Sequence, residues 1–389
     1  MKRIYLDYSA TTPLDDEVRT VMERVSAETF GNPSSVHSYG REARVILEES
    51  REELARELGA ARDEVFFTSG GTESDNNALF GIAFWSRDAG RSHVVISAIE
   101  HHAVLHAADV LREHRMRVSM LPVDEHGVVH PDALRRALTP ETCLVSVMHA
   151  NNEVGTIQPI AELTAVAHDA GALFHTDAVQ SFGKCSLNAN ELGVDLLSVS
   201  AHKVYGPKGI GALYVRKGIR LDPLLHGGGQ ESGRRPGTEN VALTAGFACA
   251  IRRMREDRSQ HLERMRHCRS YLKNRLEREF GDAVVVNGHP TDVLPTILNI
   301  SFDRSRSFVD GEALIMGMDL RGIAVTSGSA CTSGSLQPSH VLMAMGRDIH
   351  TARATIRFSF GKPTTEADLD AAVDALKDAL RSASAGTKR

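Results

Sequence analysis

From about residue 41 onward, short apolar runs alternate with longer stretches of helical character, and this rhythm constrains the fold more than any other feature. The runs are Val65 to Phe67, Val94 to Ile96, Val118 to Leu121, Leu144 to Met148, Leu173-Phe174, Leu196 to Val199 and Ala212 to Val215. Most lack polar alternation, as expected of strands in a parallel sheet covered by helices on both faces. Among the intervening stretches, Arg41 to Leu58 carries Ala43, Ile46, Leu47, Leu54 and Leu58 on one helical face. The class is α/β.

After Arg252 the texture changes. A charged helical stretch from Arg253 to Glu279 leads to strand-like Val284 to Val286, Thr296 to Phe302 and Thr355 to Phe360, with helices near Asp310 to Met318 and Glu366 to Leu380. The expected organisation is a large domain over residues 14–255 with a mostly parallel central sheet. A smaller α+β domain takes residues 1–13 and 256–389 and carries the segment 326–340.

Charge and composition exclude several function classes. Forty-five basic against 50 acidic side chains give a net charge of −5, whereas a nucleic-acid-coating or electrostatic membrane-binding surface needs a basic excess. No stretch approaches the ~20 apolar residues of a membrane helix; the longest, Val241 to Ile251, runs into Arg252 and Arg253. The first residues lack the apolar block of a signal peptide. The five cysteines (Cys143, Cys185, Cys249, Cys268, Cys331) show no short pairwise spacing, so neither a disulfide framework nor a zinc cluster is read from them. The expected setting is reducing and cytoplasmic, with no nucleic-acid or membrane partner.

The segment Ser198 to Gly209 (SVSAHKVYGPKG) ends an apolar strand with a lysine before a Gly/Pro-rich loop. A lysine at the mouth of a buried sheet loses hydration, which lowers its pKa and frees a neutral amine for imine formation. Ser200 and His202 offer donors for a phosphate. Read alone, such a lysine is far more often a solvated loop residue. A second run, His175 to Gln180 (HTDAVQ), ends another strand in Asp177, an acid able to keep a pyridine nitrogen protonated; alone it is also a helix cap. A third, Phe67 to Asn77, passes from strand through Gly70-Gly71-Thr72 into a helix start, a geometry that holds phosphate. It is no Walker loop, because no Gly-Lys-Ser/Thr follows.

In Glu100 to His106, His102 and His106 have the spacing of a helix-borne metal pair, yet the glutamate and third ligand of a zinc protease are missing. His101 could stack over a cofactor ring and move protons. The segment Thr326 to His340 (TSGSACTSGSLQPSH) has only Leu336 as a large apolar side chain and is expected to be mobile and exposed. Its Cys331 reads either as an incidental surface thiol or as a carrier collecting something in a pocket and delivering it outside. Cys143 and Cys249 lie in apolar runs and read as structural.

These segments together resemble the class V, fold-type I pyridoxal-phosphate (PLP) enzymes, and among them the cysteine desulfurases of the NifS/IscS group. The likeness begins at Tyr5 to Pro13 (YLDYSATTP) and Phe30 to Ser35 (FGNPSS). It continues through TSGGTESDN, IEHHAVL, HANNEVG (His149 to Gly155), HTDAVQS, SVSAHKVYGPKGIGALYV, HGGGQE, RRPGTENV, SGSACTSGSLQPSHVL and ATIRFSFG. The extended loop around Cys331 resembles the long-loop type.

The resemblance implies that Lys203 bonds PLP covalently and Asp177 pairs with its ring nitrogen. Asn152 and Gln180 would contact the ring's phenolic oxygen. Gly71, Thr72, Ser200 and His202 would hold the phosphate, with Thr238 reaching over from a partner subunit in a homodimer. His101 would stack on the ring and assist proton transfer, and Arg357, helped by Asn32, would clamp the substrate carboxylate. L-cysteine would become L-alanine, leaving its sulfur as a persulfide on Cys331 for an acceptor protein, either an iron–sulfur scaffold or a tRNA- or cofactor-thiolating enzyme. No stable metal is implied, though in some relatives the loop cysteine transiently ligates an iron–sulfur cluster. Ser232 and Pro236 depart from many relatives in the subunit-crossing loop. The chain stops soon after its last helix, without the extension by which housekeeping relatives engage their scaffold, which leaves the acceptor open. The rival readings are a selenocysteine lyase or small-substrate aminotransferase on the same fold, and a PLP-less interaction protein.

Overall fold

A computed structural model of the chain describes residues 3–87, 89–303, 309–328 and 337–386, the side chains only as far as 381. Its strands are β1 (Ile4–Tyr5), β2 (Val65–Thr68), β3 (His93–Ser97), β4 (Arg117–Leu121), β5 (Thr142–Ser146), β6 (Leu173–Asp177), β7 (Leu196–Ser200), β8 (Gly211–Val215), β9 (Val284–Asn287), β10 (Ile297–Phe302), β11 (Ile323–Ala324) and β12 (Thr355–Ser359).

Every apolar run from Val65 to Val215 named above lies in or runs on from a strand, and β2 to β8 form one sheet in the order β2-β8-β7-β6-β5-β3-β4. The pairs from β4 through to β7 are parallel, while β8 runs antiparallel to both β7 and β2. Residues of β3, β5, β7 and β8 are buried throughout, because helices cover both sheet faces. One face packs against Leu47, Leu54 and Leu58 of the helix Ser38–Leu58. The other packs against Leu79, Ile82 and Val104 of the helices Gly71–Arg87 and His102–Glu113. The first of these helices stops at Gly59, whose φ of 65° favours glycine and where a Cβ would stand 2.6 Å from the Asn188 side chain.

The edge strand β2 is closed by side chains. Arg51 Nη1 donates to the Val65 carbonyl at 2.9 Å and Glu231 Oε2 accepts from Phe67 N at 2.9 Å, while the two side chains pair with each other at 2.6 and 2.8 Å. Backbone groups that an edge would leave open are thus satisfied, and the loop before Thr238 is tied to the sheet.

A second, antiparallel sheet has the order β12-β10-β9. Beside it the N-terminal β1 pairs in parallel with β11, and single bridges join Asp7 to Ser359 and Thr326 to Arg357. Its core includes Leu298, Ile300, Ile356, Phe358 and Leu376. The charged helix expected from Arg253 starts earlier, at Val241, where Asn240 Oδ1 accepts from Leu243 N at 3.0 Å. This 40-residue helix contributes Phe247 and Ile251 to the large-sheet core, and Met265, Leu272 and Leu276 to the small-sheet core. We propose that the two domains divide within it. No helix among the described residues is long and apolar enough to cross a membrane.

Candidate active site

Parallel strands end together, so chemistry carried just after them converges at one edge of the sheet. Asp177 is the last residue of β6 and lies in register with Ser198 of β7. Two residues on, β7 ends at Ser200, and the short turn Ala201–Lys203 follows. The turn is fixed by the N-terminal segment: Thr12 N donates to the His202 carbonyl at 3.0 Å and Tyr205 N donates to Thr12 Oγ1 at 2.8 Å. Tyr205 takes a φ of 63°, and its hydroxyl accepts from Lys362 N at 2.7 Å. Lys203 Nζ donates to the carbonyls of Ser9 at 2.5 Å and Ala10 at 2.9 Å. Burial pushes its pKa down to about 8, helped by Arg357 and opposed by Asp177 and Asp7. A neutral amine is therefore within reach near physiological pH.

Lys203 lines a cavity of about 260 Å³ together with Gly71, Thr72, His101, Asn152, Asp177, Gln180, Ser200 and His202. Nine residues singled out in the sequence from five separate segments thus share one space. Asp177 is buried, accepts from Val179 N at 2.8 Å, and has its pKa raised by burial to about 6. Asp75, which sequence reading passed over, lines the same cavity; burial and the Asp177 charge hold its carboxyl well above the usual range. Its Oδ1 is buried without a hydrogen-bond partner, 3.6 Å from His175 Nε2.

The same cavity holds an anion cradle. The helix Gly71–Arg87 begins at the cavity, so its first backbone N–H groups and its dipole face that space. A Cβ on Gly71 would stand 2.7 Å from Val179 Cγ2, so only glycine permits this approach of helix to strand end. His202 Nδ1 lies 3.1 Å from Thr11 Oγ1, and burial with the nearby lysines lowers its pKa to about 4.

His101 caps the helix His102–Glu113: its Nδ1 accepts from Ala103 N at 3.1 Å, which leaves the proton on Nε2. Burial, then Lys203, pushes its pKa down to about 4, so the ring is a neutral donor. Beneath it Glu100 is fully buried, accepts from Ser97 Oγ and from Met148 N at 2.8 Å, and is pushed up to about 8 by burial. His102 and His106 have rings 4.9 Å apart, with His340 5.0 Å from His102. Among the described residues no group of three or more His, Cys, Asp or Glu could hold a metal ion.

The remaining sequence candidates lie elsewhere. Arg357 of β12 is buried beside the site, donating from Nη1 to the Asn152 carbonyl and from Nη2 to Asp7 Oδ1, both at 2.8 Å, while its Nε has no partner. Asn32 is exposed, and its Oδ1 accepts from Ser34 N at 2.9 Å in a local turn. Thr238 is exposed and does not line its own chain's cavity. Cys331 lies outside the described residues. The flanks of its segment are placed: Ser339 Oγ donates to Glu153 Oε2 at 2.5 Å, and Gly328 lies against that same carboxylate. The other four cysteines are free, and Cys143, Cys249 and Cys268 are buried.

The cavity offers an amine, a carboxylate on the next strand, a neutral imidazole donor and a helix N-terminus, a set suited to a phosphorylated carbonyl ligand with a ring nitrogen. The profile of the Aminotransferase class-V family matches residues 4–372. The chain belongs to that family. Its class-V relatives include "Cysteine desulfurase IscS" of Dictyoglomus turgidum, 48% identical over 97% of this chain and 94% of that protein. A protein of the same name from Methanosarcina thermophila is 43% identical over 98% of this chain and 92% of its own length. Among solved structures, a "NifS-like protein" aligns with a TM-score of 0.89 and 37% identity over 98% of this chain and 100% of that one. "SspA in complex with cysteine" aligns with a TM-score of 0.80 and 34% identity over 92% and 99%. The α/β architecture is that of the fold-type I group.

Proposed function

We propose that the chain is a cysteine desulfurase that uses PLP, converts L-cysteine to L-alanine and passes on the sulfur as a persulfide held by Cys331. The observation that carries this reading is the meeting of Lys203, Asp177 and the Gly71 helix terminus in one cavity. These residues fit the cofactor. Lys203 supplies a depressed amine, Asp177 suits a protonated ring nitrogen, and Gly71, Thr72, Ser200 and His202 suit its phosphate. When bound, PLP supplies an electron sink conjugated to the substrate's Cα.

The chain's own residues do the rest. Lys203 would hold the cofactor and, as a neutral amine, would take the substrate's Cα proton. His101, held as the Nε2–H tautomer, stacks on the ring and supplies a proton donor. Asn152 and Gln180 contact the phenolic oxygen. Arg357, with Asn32, clamps the substrate carboxylate, for which its planar fork is suited. Cys331 Sγ bonds to the substrate sulfur as the substrate's Cβ–S bond breaks, and the carbon keeps the electron pair, takes a proton and leaves as alanine. Thr238 completes the site of a second copy in a homodimer, a reading supported by its exposure and by the exposed apolar Phe30 and Val36 on either side of Asn32. The sulfur acceptor is a protein of iron–sulfur cluster assembly or of tRNA or cofactor thiolation. The four described cysteines are unpaired, in keeping with a reducing cytoplasm.

The test is amino-acid analysis after incubating the PLP-reconstituted protein with L-cysteine and a thiol reductant. Alanine and sulfide are expected in equal amounts, and none from Lys203→Ala. Formation of a keto acid in place of alanine contradicts the reading.

A further inference from the structure

A second lysine stands behind the cavity. Lys184 follows β6 by seven residues and donates from Nζ to Gln180 Oε1 at 3.1 Å. Gln180 in turn donates from Nε2 to the Ser9 carbonyl at 2.8 Å. That carbonyl is also an acceptor for Lys203 Nζ at 2.5 Å. The two lysines are therefore joined by one hydrogen-bonded chain: Lys184 to Gln180, Gln180 to Ser9, and Lys203 to the same Ser9 oxygen.

Two features show that this is more than a chance contact. A partly buried ammonium is costly without a counter-charge, and among the described residues no carboxylate forms an ion pair with Lys184. Its surroundings are positive on most sides: Lys203 and Arg357 lower its pKa, its charge lowers those of His202 and His261, and only the Cys185 thiol favours it. Burial pushes Lys184 down to about 7. The second feature is directional. With Oε1 turned to Lys184 and one N–H given to Ser9, the Gln180 amide keeps its second N–H for the cavity it lines. That N–H suits an acceptor oxygen there.

Resting on the reading that the cavity binds PLP, we propose that Lys184 is a positioning residue. It holds the Gln180 amide with its N–H toward the cofactor's phenolic oxygen, and it holds the Ser9-Ala10 backbone against Lys203. A sequence scan for site residues misses it, because Lys184 acts through a glutamine and a backbone carbonyl without lining the cavity itself.

The experiment compares Lys184→Met, which removes the donor at similar length, with Lys184→Arg, which keeps one. The readouts are cofactor affinity of the apoprotein and the pH midpoint of the bound cofactor's visible absorbance. In Lys184→Met the amide is free to turn, so affinity should fall about tenfold, the cost of one hydrogen bond. The midpoint should rise by about one unit as a nearby donor and positive charge are lost. Lys184→Arg should stay within about twofold of wild type, since the donor is retained. In a Gln180→Leu background, Lys184→Met should cause no further loss of affinity, which separates positioning from a general loss of stability. Wild-type affinity and midpoint in Lys184→Met overturn the proposal, as do equal losses of affinity with and without Gln180. If wild type itself binds no cofactor, the functional reading fails instead.

Discussion

Asp177 and Lys203 stand at the ends of adjacent parallel strands, β6 and β7, locked by the register of Asp177 with Ser198. Each favours the charge of the other, yet burial wins for both: the acid rises to about 6 and the amine falls to about 8. The pair is thus poised for a ligand that brings its own positive ring nitrogen and takes up a neutral amine.

Replacing Asp177 with Asn keeps the shape and removes the charge. The Lys203 amine should then become still easier to deprotonate, because the carboxylate was holding its pKa up. The turnover number should fall by about 10²-fold or more, as for loss of an acid–base partner. Steady-state alanine formation checks it, with cofactor content measured on the same samples.

Cofactor uptake by the apoprotein should depend on pH through Lys203. Only the neutral amine bonds a carbonyl, so the rate should rise about tenfold per unit below pH 8 and flatten above it. Stopped-flow absorbance across pH 6 to 11 reads this. A rise continuing toward the ordinary lysine value of 10.5 would mean the amine is hydrated.

Glu100 makes the opposite kind of pH statement. Its folded pKa of about 8 lies above the ordinary 4.5, so the folded protein holds a proton that the unfolded chain has lost. That stabilisation is complete below pH 4.5 and is lost as pH rises toward 8. Glu100→Gln, which cannot ionise and can still accept from Ser97 and Met148 N, should melt close to wild type at pH 5. At pH 9 it should melt higher. Thermal unfolding at the two values decides it.

The Arg51–Glu231 pair closes the β2 edge with both partners buried. Arg51→Ala leaves the Glu231 carboxylate unpaired and the Val65 carbonyl open, and should cost about 3 to 5 kcal/mol in urea unfolding. A loss under 1 kcal/mol would show that solvent reaches the edge.

Gly71→Ala drives a Cβ into Val179. Cofactor affinity should fall about tenfold, the size of a 1.4 kcal/mol overpacking cost. Gly71→Ala with Val179→Ala should regain much of it, by fluorescence titration of the apoprotein.

Much of this was legible in the sequence, for stated reasons. Buried strands announce themselves as unbroken apolar runs, and from Val65 to Val215 each run lies in a strand or runs on from one. The reversal of β8 carries no such mark, because β7 and β8 are equally apolar and differ only in direction. Lys203, Asp177 and the Gly71 turn were visible as polar residues placed just where apolar runs stop. The contact of Lys203 with Ser9 and Ala10 was not, since a backbone carbonyl has no residue-type signature. Asp75 and Glu100 read as ordinary polar positions near helix starts, and only the packed sheet makes them buried acids. Arg51 and Glu231 meet across 180 residues, a pairing no local pattern encodes. The alignment of Cys331 with this machinery falls outside the described residues and rests on chemistry.

The central claim is that sulfur leaves the substrate onto Cys331 under the action of Lys203. Mass spectrometry of the peptide containing Cys331, after incubation of the reconstituted protein with isotopically labelled L-cysteine and no reductant, addresses it most directly. One labelled sulfur atom added to Cys331 in wild type, and none in Lys203→Ala, is the predicted result. Alanine formed at the wild-type rate by Cys331→Ala, or labelled sulfur found only on another cysteine, would contradict it.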